Sequence, residues 1–326
     1  MDEIIKKLLA PGEGLLAADE STGTIAKRLA AVGVTSTPET NRKYREMLFT
    51  TPGIDEYISG VILFKETVDQ KLDDGTPFVD FLKKLNIVLG IKLDGGLEKY
   101  KDTNQEITKV PEDLENSIRK FHELGFGFAK WRALFSISDL TPSDEFIADT
   151  LDRMVSYAAS CQEIGLVPIV EPEVSMKGNH TTTRCEEITT KVLKTLFAKL
   201  KERGVDMSNL VLKINMVLPG KDSGVVAEPL EVANSTLRTL SNSVPKEVGV
   251  IVFLSGGQDS WSAAENLDKI EDLSKDAPWP LTFSYSRALQ EEPMRVWQGK
   301  DENIDAAQTV FLGKLKEASL ARQGKL

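Results

Sequence analysis

The sequence predicts an α/β fold, a single (β/α)8 barrel of the TIM type. Eight short strand-like runs begin at intervals of roughly 28 to 46 residues, and segments with helical periodicity fill those intervals. Several runs also carry a charged residue at or near their C-terminal end. Because the C-terminal ends of barrel strands meet on one face, where the connecting loops form the site, the pattern predicts a fold and a functional surface together.

The strand-like runs are short and apolar, and no long linker, internal repeat or low-complexity segment separates them. We therefore expect residues 1–326 to form one barrel domain with an N-terminal helix and a C-terminal helix. A doubly wound open sheet is the alternative fold, but the Gly-x-Gly-x-x-Gly signal after the first strand is missing. The predicted strands begin near Gly14, Gly60, Val88, Gly127, Leu166, Leu210, Gly249 and Trp279.

The intervals between the runs show apolar residues three and four positions apart, the spacing of an amphipathic helix. In residues 24–31, for example, the apolar stripe consists of Ile25 and Leu29. Similar stripes occupy residues 112–124, 145–164 and 187–200. A glycine is expected to end each of these four helices, at Gly33, Gly125, Gly165 and Gly204.

The bulk composition excludes several classes of function. The net charge of −10 and the absence of a basic cluster argue against a nucleic-acid or anionic-membrane partner. No stretch approaches the roughly 20 apolar residues that span a bilayer. Residues 1–10 are typical of an amphipathic helix stopped at Pro11, not of a signal peptide. With only two cysteines, the chain is expected in a reducing cytoplasm.

Metal and serine-hydrolase chemistry are both disfavoured. The two histidines, His122 and His180, are far apart, and the spacing of a catalytic zinc site is not visible around them. Neither histidine lies near a nucleophile elbow. We therefore expect no metal and no cofactor.

Lys213 interrupts an otherwise apolar run, residues 210–217, which the pattern assigns to the sixth strand. Burying an unpaired ammonium group is costly, so a lysine in such a run is usually retained for chemistry. Lys92 ends the third strand, and Lys130 and Arg132 end the fourth. One alternative is that these charges are half-exposed strand ends. Another is that Lys213 forms a structural ion pair with a carboxylate of the fifth strand.

A lysine that loses its proton near neutral pH is a carbonyl nucleophile that can form a Schiff base. Lys213 is the best candidate, with Lys130 as the neighbouring charge that keeps it partly neutral. Formation of the Schiff base requires proton transfer, and Glu171 is positioned for it, with Glu173 as its partner or substitute. Asp19, at the end of the first strand, is predicted to accept a hydroxyl proton during C–C cleavage. The alternative role for Asp19 is the N-cap of a helix beginning near Thr22.

Two groups of residues predict phosphate binding. Ser255, Gly256 and Gly257 form a small-residue loop leading into a helix, and backbone N–H groups in such a loop bind anions. Ser284 and Arg287 follow the eighth strand, and barrels often hold a phosphate after strands seven and eight.

A second phosphate could be held across the pocket by Lys92, Ser21 and Thr24. A phosphorylated sugar with two phosphates would explain why an acidic chain collects cations on one face.

These residues lie in segments that together resemble the class I (Schiff-base) fructose-1,6-bisphosphate aldolases. The resemblance runs from near Gly14 to about Gly324, and several motifs occur in order. The matching segments are LAADESTG (16–23), GVILF (60–64), FAKWR (128–132), VPIVEPE (167–173), FLSGGQ (253–258) and RALQ (287–290).

The resemblance implies roles for the matching positions. Lys213 corresponds to the Schiff-base lysine and Glu171 to the general acid/base, while Asp19 and Lys130 correspond to residues that assist C–C cleavage. It also implies a metal-free cytoplasmic enzyme of glycolysis and gluconeogenesis, expected as a homo-oligomer, a tetramer in most members. The positions implied to hold the ketose-side phosphate are Ser255, Gly256, Ser284 and Arg287, those near the other phosphate are Lys92, Ser21 and Thr24, and Arg28 and Arg132 line the site.

The chain departs from the family pattern in three places. Ile214 replaces the proline that usually follows the Schiff-base lysine, and Ser286 replaces a glycine or alanine of the phosphate loop. The sequence also ends at Leu326, without the tail whose terminal tyrosine assists proton transfer in many relatives. We therefore expect enamine protonation to be slower here, or to use a group within the active site.

Other functions are compatible with the same fold. A transaldolase or a monophosphate-specific aldolase is the nearest alternative, and two phosphate groups argue against both. Pyridoxal phosphate on Lys213 is a further option. A protein that only binds a partner, for example a cytoskeletal protein or an adhesin, is disfavoured because Lys213, Glu171 and Asp19 are all present. Such binding as a second role stays open, as does the preference between fructose 1,6-bisphosphate and fructose 1-phosphate.

Overall fold

Ten strands form the framework of the protein in the computed structural model, which describes residues 1–326. The strands are β1 (Gly14–Ala18), β2 (Ile58–Leu63), β3 (Val88–Lys92), β4 (Leu97–Lys99), β5 (Glu106–Thr108), β6 (Phe128–Phe135), β7 (Val167–Val174), β8 (Val211–Asn215), β9 (Val250–Leu254) and β10 (Leu281–Tyr285).

Eight of these strands close into a parallel barrel in the order β1-β10-β9-β8-β7-β6-β3-β2. Each barrel strand begins within two residues of its predicted start. The prediction of a (β/α)8 barrel is therefore confirmed.

The remaining strands, β4 and β5, form an antiparallel hairpin that the sequence pattern did not predict. Each is three residues long, too short for an alternating pattern to be recognised. The hairpin follows β3 and leans on the end of β6, where the Thr108 hydroxyl donates a hydrogen bond to the Arg132 carbonyl over 2.8 Å. It therefore supports the edge of the barrel from which Arg132 projects.

Twelve helices surround the barrel. They are α1 (Asp2–Leu8), α2 (Thr22–Ala31), α3 (Pro38–Phe49), α4 (Lys65–Val68), α5 (Phe78–Lys84), α6 (Leu114–Glu123), α7 (Asp144–Ile164), α8 (Thr182–Glu202), α9 (Pro229–Ser243), α10 (Ser260–Leu273), α11 (Arg287–Trp297) and α12 (Ile304–Ala321), with short 3-10 helices at Ile54–Glu56, Met207–Asn209, Lys221–Ser223 and Asp301–Asn303.

The four helices predicted from their apolar stripes are all present, as α2, α6, α7 and α8. The largest difference is at α8, which begins five residues earlier than predicted. Its true start is set by Thr181, whose hydroxyl accepts a hydrogen bond from the Arg184 backbone N–H. Each of the four glycines predicted to end these helices has a positive φ, between 74° and 111°. None of the helices has the length and apolarity needed to cross a membrane.

The barrel interior is filled by an apolar cluster, and charged side chains follow it toward the C-terminal ends of the strands. Side chains on one face of a strand recur every second residue, so Val211 and Lys213 of β8 both point inward, as do Phe128 and Lys130 of β6. The lower interior is closed by Leu8 of α1, which is fully buried. The apolar members of this interior cluster are Ile5, Leu8, Leu15, Ala17, Ile62, Val88, Phe128, Val167, Ile169, Val211, Val250 and Val252.

The outward faces of the strands pack against the helices in a second and much larger apolar cluster. Ile214, which replaces a proline in the family pattern, belongs to it and is buried there. Its side chain therefore points away from the barrel interior into which Lys213 projects, as expected for adjacent residues of a strand.

Gly90 makes room for the Phe128 ring in the barrel interior. A Cβ atom added at Gly90 would lie 1.9 Å from a ring carbon of Phe128, a separation that no packing can accept. We expect Gly90→Ala to reduce the free energy of unfolding by about 1–3 kcal/mol, because overpacking displaces the ring. Chemical denaturation of the purified protein measures this loss.

Gly313→Ala is the matched control, because a Cβ at that position in α12 would meet no atom within 4 Å. This variant should be as stable as the wild type or gain up to about 1 kcal/mol from the better helix former. Equal stability of Gly90→Ala and the wild type would contradict the proposed packing.

Candidate active site

A cavity of about 590 Å³ opens at the C-terminal end of the barrel, above the apolar interior. It is lined by every residue that the sequence singled out as catalytic or substrate-binding, with one exception. The lining residues from that prediction are Asp19, Ser21, Thr24, Arg28, Lys92, Lys130, Arg132, Glu171, Glu173, Lys213, Ser255, Gly256, Ser284 and Arg287.

The exception is Gly257, which does not line the cavity. Its φ is +97°, and a Cβ there would lie 3.1 Å from an Arg287 guanidinium nitrogen. The Gly257 carbonyl instead accepts a hydrogen bond from the Lys221 ammonium group. Gly257 thus allows Arg287 to approach the loop, and it does not itself face the cavity.

The charged floor of the cavity is centred on Lys130. Its Nζ donates a hydrogen bond to Asp19 Oδ2 over 2.9 Å and lies 2.8 Å from Glu171 Oε2. On the other side of Glu171, Oε1 lies 3.7 Å from Lys213 Nζ. All four side chains are at least 89 % buried, so these charges interact with little screening by water.

This arrangement fixes the protonation states of the floor. Burial alone lowers the pKa of Lys130, but Asp19 and Glu171 outweigh it and raise that pKa well above the usual lysine range. Burial likewise raises the pKa of Asp19, but Lys130, Lys92 and Lys213 outweigh it and hold the pKa well below the usual aspartate range. The pKa of Glu171 is also lowered, because Lys130 and Lys213 together outweigh its burial.

The pKa of Lys213 is shifted in the opposite direction to that of Lys130. Burial lowers the pKa of Lys213, and the Lys130 charge lowers it further, while Glu171 opposes both. The net direction is downward, toward a larger fraction of neutral amine. Of the two buried lysines, only Lys213 therefore has its nucleophilic form favoured by its surroundings.

Two structural alternatives were open for these residues. Asp19 does not cap α2, because the N-cap is Ser21, whose hydroxyl accepts a hydrogen bond from the Thr24 backbone N–H. Lys213 does form an ion pair with Glu171, but at 3.7 Å it makes no hydrogen bond to it. Glu173, the predicted partner of Glu171, is instead bound by Arg132, whose Nε donates to Glu173 Oε2 over 2.7 Å.

At one end of the cavity, Ser284 and Arg287 lie on either side of the start of α11. The Ser284 hydroxyl is buried and has no hydrogen-bond partner within the protein. Burial lowers the pKa of Arg287, and the nearby charge of Arg28 lowers it further. An unpartnered donor and two mutually repelling guanidinium groups are features that a bound anion would relieve.

Lys92 also lines the cavity, lies 3.4 Å from Asp94 and retains a partly exposed side chain. Ser21 and Thr24 line the cavity too, with their hydroxyl oxygens 3.0 Å apart. One partly exposed cation and two hydroxyl groups are again a set that can bind a phosphate.

The sequence reasoning missed three residues that line the cavity and contact one another: Glu20, Ser286 and Gln290. In the sequence, Ser286 stands out only as a substitution in the phosphate loop, and Glu20 and Gln290 only as members of the matching segments 16–23 and 287–290. No signal in the sequence connects them, since 266 positions separate Glu20 from Ser286. No group of three or more His, Cys, Asp or Glu side chains in the structure is arranged to hold a metal ion.

Comparisons with family models, curated proteins and solved structures all match this chain to the same family. The family model described as fructose-bisphosphate aldolase class-I matches residues 1–326. The chain belongs to the class-I fructose-bisphosphate aldolase family.

Among curated members of this family, the chain is 45% identical to the cytosolic fructose-bisphosphate aldolase 4 of Arabidopsis thaliana over 96% of the chain and 80% of that protein. It is 42% identical to a probable class 1 aldolase of Xanthomonas axonopodis, over 99% of the chain and 97% of that protein.

A solved structure of Plasmodium falciparum fructose-bisphosphate aldolase, in complex with TRAP and a small-molecule inhibitor, has a TM-score of 0.96 and 41% identity, covering 99% of this chain and 94% of that one. Membership of the class-I aldolases makes the chain a lyase of glycolysis.

Removing the Lys130 ammonium should destabilise the protein in a pH-dependent way. In Lys130→Met, burial raises the pKa of Asp19 and Glu171, so the penalty for their charge is largest at neutral pH and falls as they take up protons. In the wild type, the stability from the lowered pKa of Asp19 is present above the ordinary aspartate range and lost below it. Asp19 keeps that contribution at both pH 7 and pH 5, which lie above this range, so the difference between the two pH values comes from the raised pKa values in the variant. We expect a loss of about 3–5 kcal/mol at pH 7 and a smaller loss at pH 5.

Chemical denaturation at the two pH values measures this difference. Lys199→Met is the control, because Lys199 pairs with Asp152 on the surface, and its loss should cost at most about 1 kcal/mol at both pH values. A loss for Lys130→Met that is independent of pH would show that the two carboxylates do not depend on Lys130.

Proposed function

We propose that the chain cleaves fructose 1,6-bisphosphate reversibly to dihydroxyacetone phosphate and glyceraldehyde 3-phosphate through a Schiff base on Lys213. One observation carries the proposal: Lys213 is buried with a lowered pKa and lies 3.7 Å from the Glu171 carboxylate. The amine is the nucleophile, and the carboxylate is the group that moves the protons.

The first half of the reaction forms the Schiff base. The neutral Lys213 amine attacks the C2 carbonyl of the open-chain ketose, and the adduct becomes a carbinolamine after proton transfer. Glu171, which is charged because its pKa is lowered, accepts the proton that Lys213 loses on becoming neutral, and then returns it to the departing C2 hydroxyl, which leaves as water and leaves a protonated imine. Lys130 keeps its positive charge throughout because Asp19 and Glu171 hold its pKa high.

The second half breaks the C3–C4 bond. Asp19 is charged, because its pKa is well below the usual range, and it accepts the proton of the C4 hydroxyl. The electrons of the C3–C4 bond pass into the protonated imine, which becomes an enamine, and glyceraldehyde 3-phosphate leaves. Protonation at C3 and hydrolysis of the imine then release dihydroxyacetone phosphate and restore the Lys213 amine.

Phosphate recognition at both ends of the cavity would orient the sugar for this chemistry. The end with Ser255, Gly256, Ser284 and Arg287 is proposed for the ketose-side phosphate, supported by the unpartnered Ser284 hydroxyl. Lys92, with Ser21 and Thr24, would bind the aldehyde-side phosphate. If both phosphates of the sugar are bound, C2 is positioned over Lys213, so that part of the binding energy is used to orient the substrate for reaction.

Location, assembly and further partners are proposed on the family alone. Three relatives from Arabidopsis thaliana are named cytosolic, which supports a cytoplasmic location for this chain. A homotetramer is proposed from the resemblance to the family. The Plasmodium falciparum aldolase has been solved in complex with TRAP, and this favours a second, partner-binding role for the present chain as a proposal separate from catalysis.

Reduction of the intermediate by borohydride tests the nucleophile. Incubation with dihydroxyacetone phosphate and borohydride should produce a stable adduct on Lys213, located by peptide mass mapping, and EDTA should not change its yield. Lys213→Met should give no adduct. An adduct on Lys130 or Lys92 would leave the barrel and its cavity unchanged but would refute Lys213 as the nucleophile.

The two carboxylates of β7 should differ in their effect on turnover. Glu171→Gln removes a proton donor within reach of Lys213 and should lower kcat by about 10²–10⁴-fold. Glu173→Gln, which alters a carboxylate bound to Arg132, should reduce kcat far less. Steady-state cleavage assays measure both, and equal losses in the two variants would contradict the separate roles.

A further inference from the structure

Ser286 occupies the N-cap of α11 but does not cap the helix. Serine or threonine residues at the starts of α2, α3, α7 and α8 all accept a hydrogen bond from a backbone N–H of their own helix. The hydroxyl of Ser286 is engaged elsewhere. Its contacts therefore suggest a role other than starting the helix.

The Ser286 hydroxyl uses its full hydrogen-bonding capacity on three neighbours. It donates to Glu20 Oε1 over 2.8 Å, and it accepts from Arg28 Nη1 over 2.9 Å and from Gln290 Nε2 over 3.2 Å. A hydroxyl has one proton and two lone pairs, so this set is complete. Gln290 is itself fixed, because its Nε2 also donates to the Ala17 carbonyl over 2.7 Å.

Glu20 is the rigid member of this group. Its side chain is 3% exposed and forms an ion pair with Arg28. Behind it, the buried Arg45 donates to the Glu20 carbonyl over 3.0 Å and lies 3.9 Å from its carboxylate. Glu20 is therefore held from both sides, and Ser286 ties Arg28 to a fixed point of the barrel.

Only one nitrogen of the Arg28 guanidinium group takes part in this network. Nη1 donates to Glu20 and to Ser286, whereas Nε and Nη2 make no hydrogen bond within the protein. Arg28 lines the cavity, and its charge acts on Arg287, so the two guanidinium groups border the same end. Holding a guanidinium by one nitrogen leaves its remaining donors oriented for an anion.

We propose that Ser286 is a positioning residue that, with Glu20, orients Arg28 toward the ketose-side phosphate and thereby sets the affinity for phosphorylated ketoses. This inference rests on the proposed function, because it assumes a phosphate at the end of the cavity that contains Ser284 and Arg287. It goes beyond that function in assigning a role to a side-chain hydroxyl where many family members have none.

The proposed role of Ser286 predicts the same change in KM for two substrates that share the ketose-side phosphate. Fructose 1,6-bisphosphate and fructose 1-phosphate both carry the ketose-side phosphate, and only the bisphosphate carries the other. Loss of the Ser286 hydroxyl should therefore raise the KM for both substrates by the same factor. It should leave kcat nearly unchanged, because Ser286 makes no hydrogen bond to Lys213, Glu171 or Asp19.

The experiment uses the full chain and the variants Ser286→Ala and Ser286→Thr. For Ser286→Ala, we expect KM to rise about three- to tenfold with both substrates, the effect of losing one ordinary hydrogen bond, because Arg28 stays paired with Glu20, and kcat to stay within about twofold. Inorganic phosphate, as a competitive inhibitor, should lose affinity by a similar factor. Ser286→Thr restores the hydroxyl and should return KM to within about twofold of the wild type.

Thr282→Val is the matched structural control. Thr282 lies on β10, the strand that directly precedes Ser286, and its buried hydroxyl donates to the Glu13 carbonyl over 2.9 Å, at the end of the barrel away from the cavity. It should lower the melting temperature without changing KM.

An unchanged KM in Ser286→Ala, a loss confined to kcat, or a loss confined to the bisphosphate would each overturn the proposal. Borohydride trapping on Lys213 in Ser286→Ala separates this failure from failure of the Schiff-base mechanism, because the adduct should form in the variant at saturating ketose phosphate.

Discussion

The Lys130 ammonium group, buried between the carboxylates of Asp19 and Glu171, is the interaction on which the rest of the site depends. It keeps both carboxylates charged in a place where burial alone would protonate them. A charged Glu171 then faces Lys213, whose own pKa is lowered by burial and by the same Lys130 charge. One permanent cation thus sets the protonation states of Asp19, Glu171 and Lys213. Removing it would change all three at once, because they share one unscreened field.

The barrel supplies the positions for these charges. Each inward row begins with apolar side chains and ends with charged ones two residues later, as from Val211 to Lys213 and from Phe128 to Lys130. The apolar part excludes water from beneath the charges and strengthens their interaction. The Phe128 ring fills much of this part because Gly90 has no side chain to oppose it. The reactive layer is therefore supported by ordinary close packing, and its chemistry depends on residues that take no part in it.

Two groups of cations that line the cavity are held differently. Near α11, Arg28 is fixed by Glu20 and Ser286, and the Ser284 hydroxyl has no partner. Lys92 is only loosely held by Asp94 and remains partly exposed. A fixed guanidinium recognises a phosphate by geometry, whereas a flexible ammonium recognises it by charge. The cavity thus combines one rigid and one adaptable cation in the lining that also contains Lys213.

The sequence by itself determined the barrel, the start of each barrel strand within two residues, and most of the charged side chains that face the cavity. These follow from local periodicity, since a period of two assigns each residue to a face and the C-terminal ends of parallel strands meet. Only the tertiary structure decided the pairing: Glu171 with Lys130, Glu173 with Arg132, and Glu20 with Ser286. It also decided that Ser21, and not Asp19, caps α2. Each pairing depends on strand register and on the positions of side-chain atoms to within a few tenths of an ångström. The paired residues are 41 to 266 positions apart in the sequence, and no local pattern encodes their register or their distance.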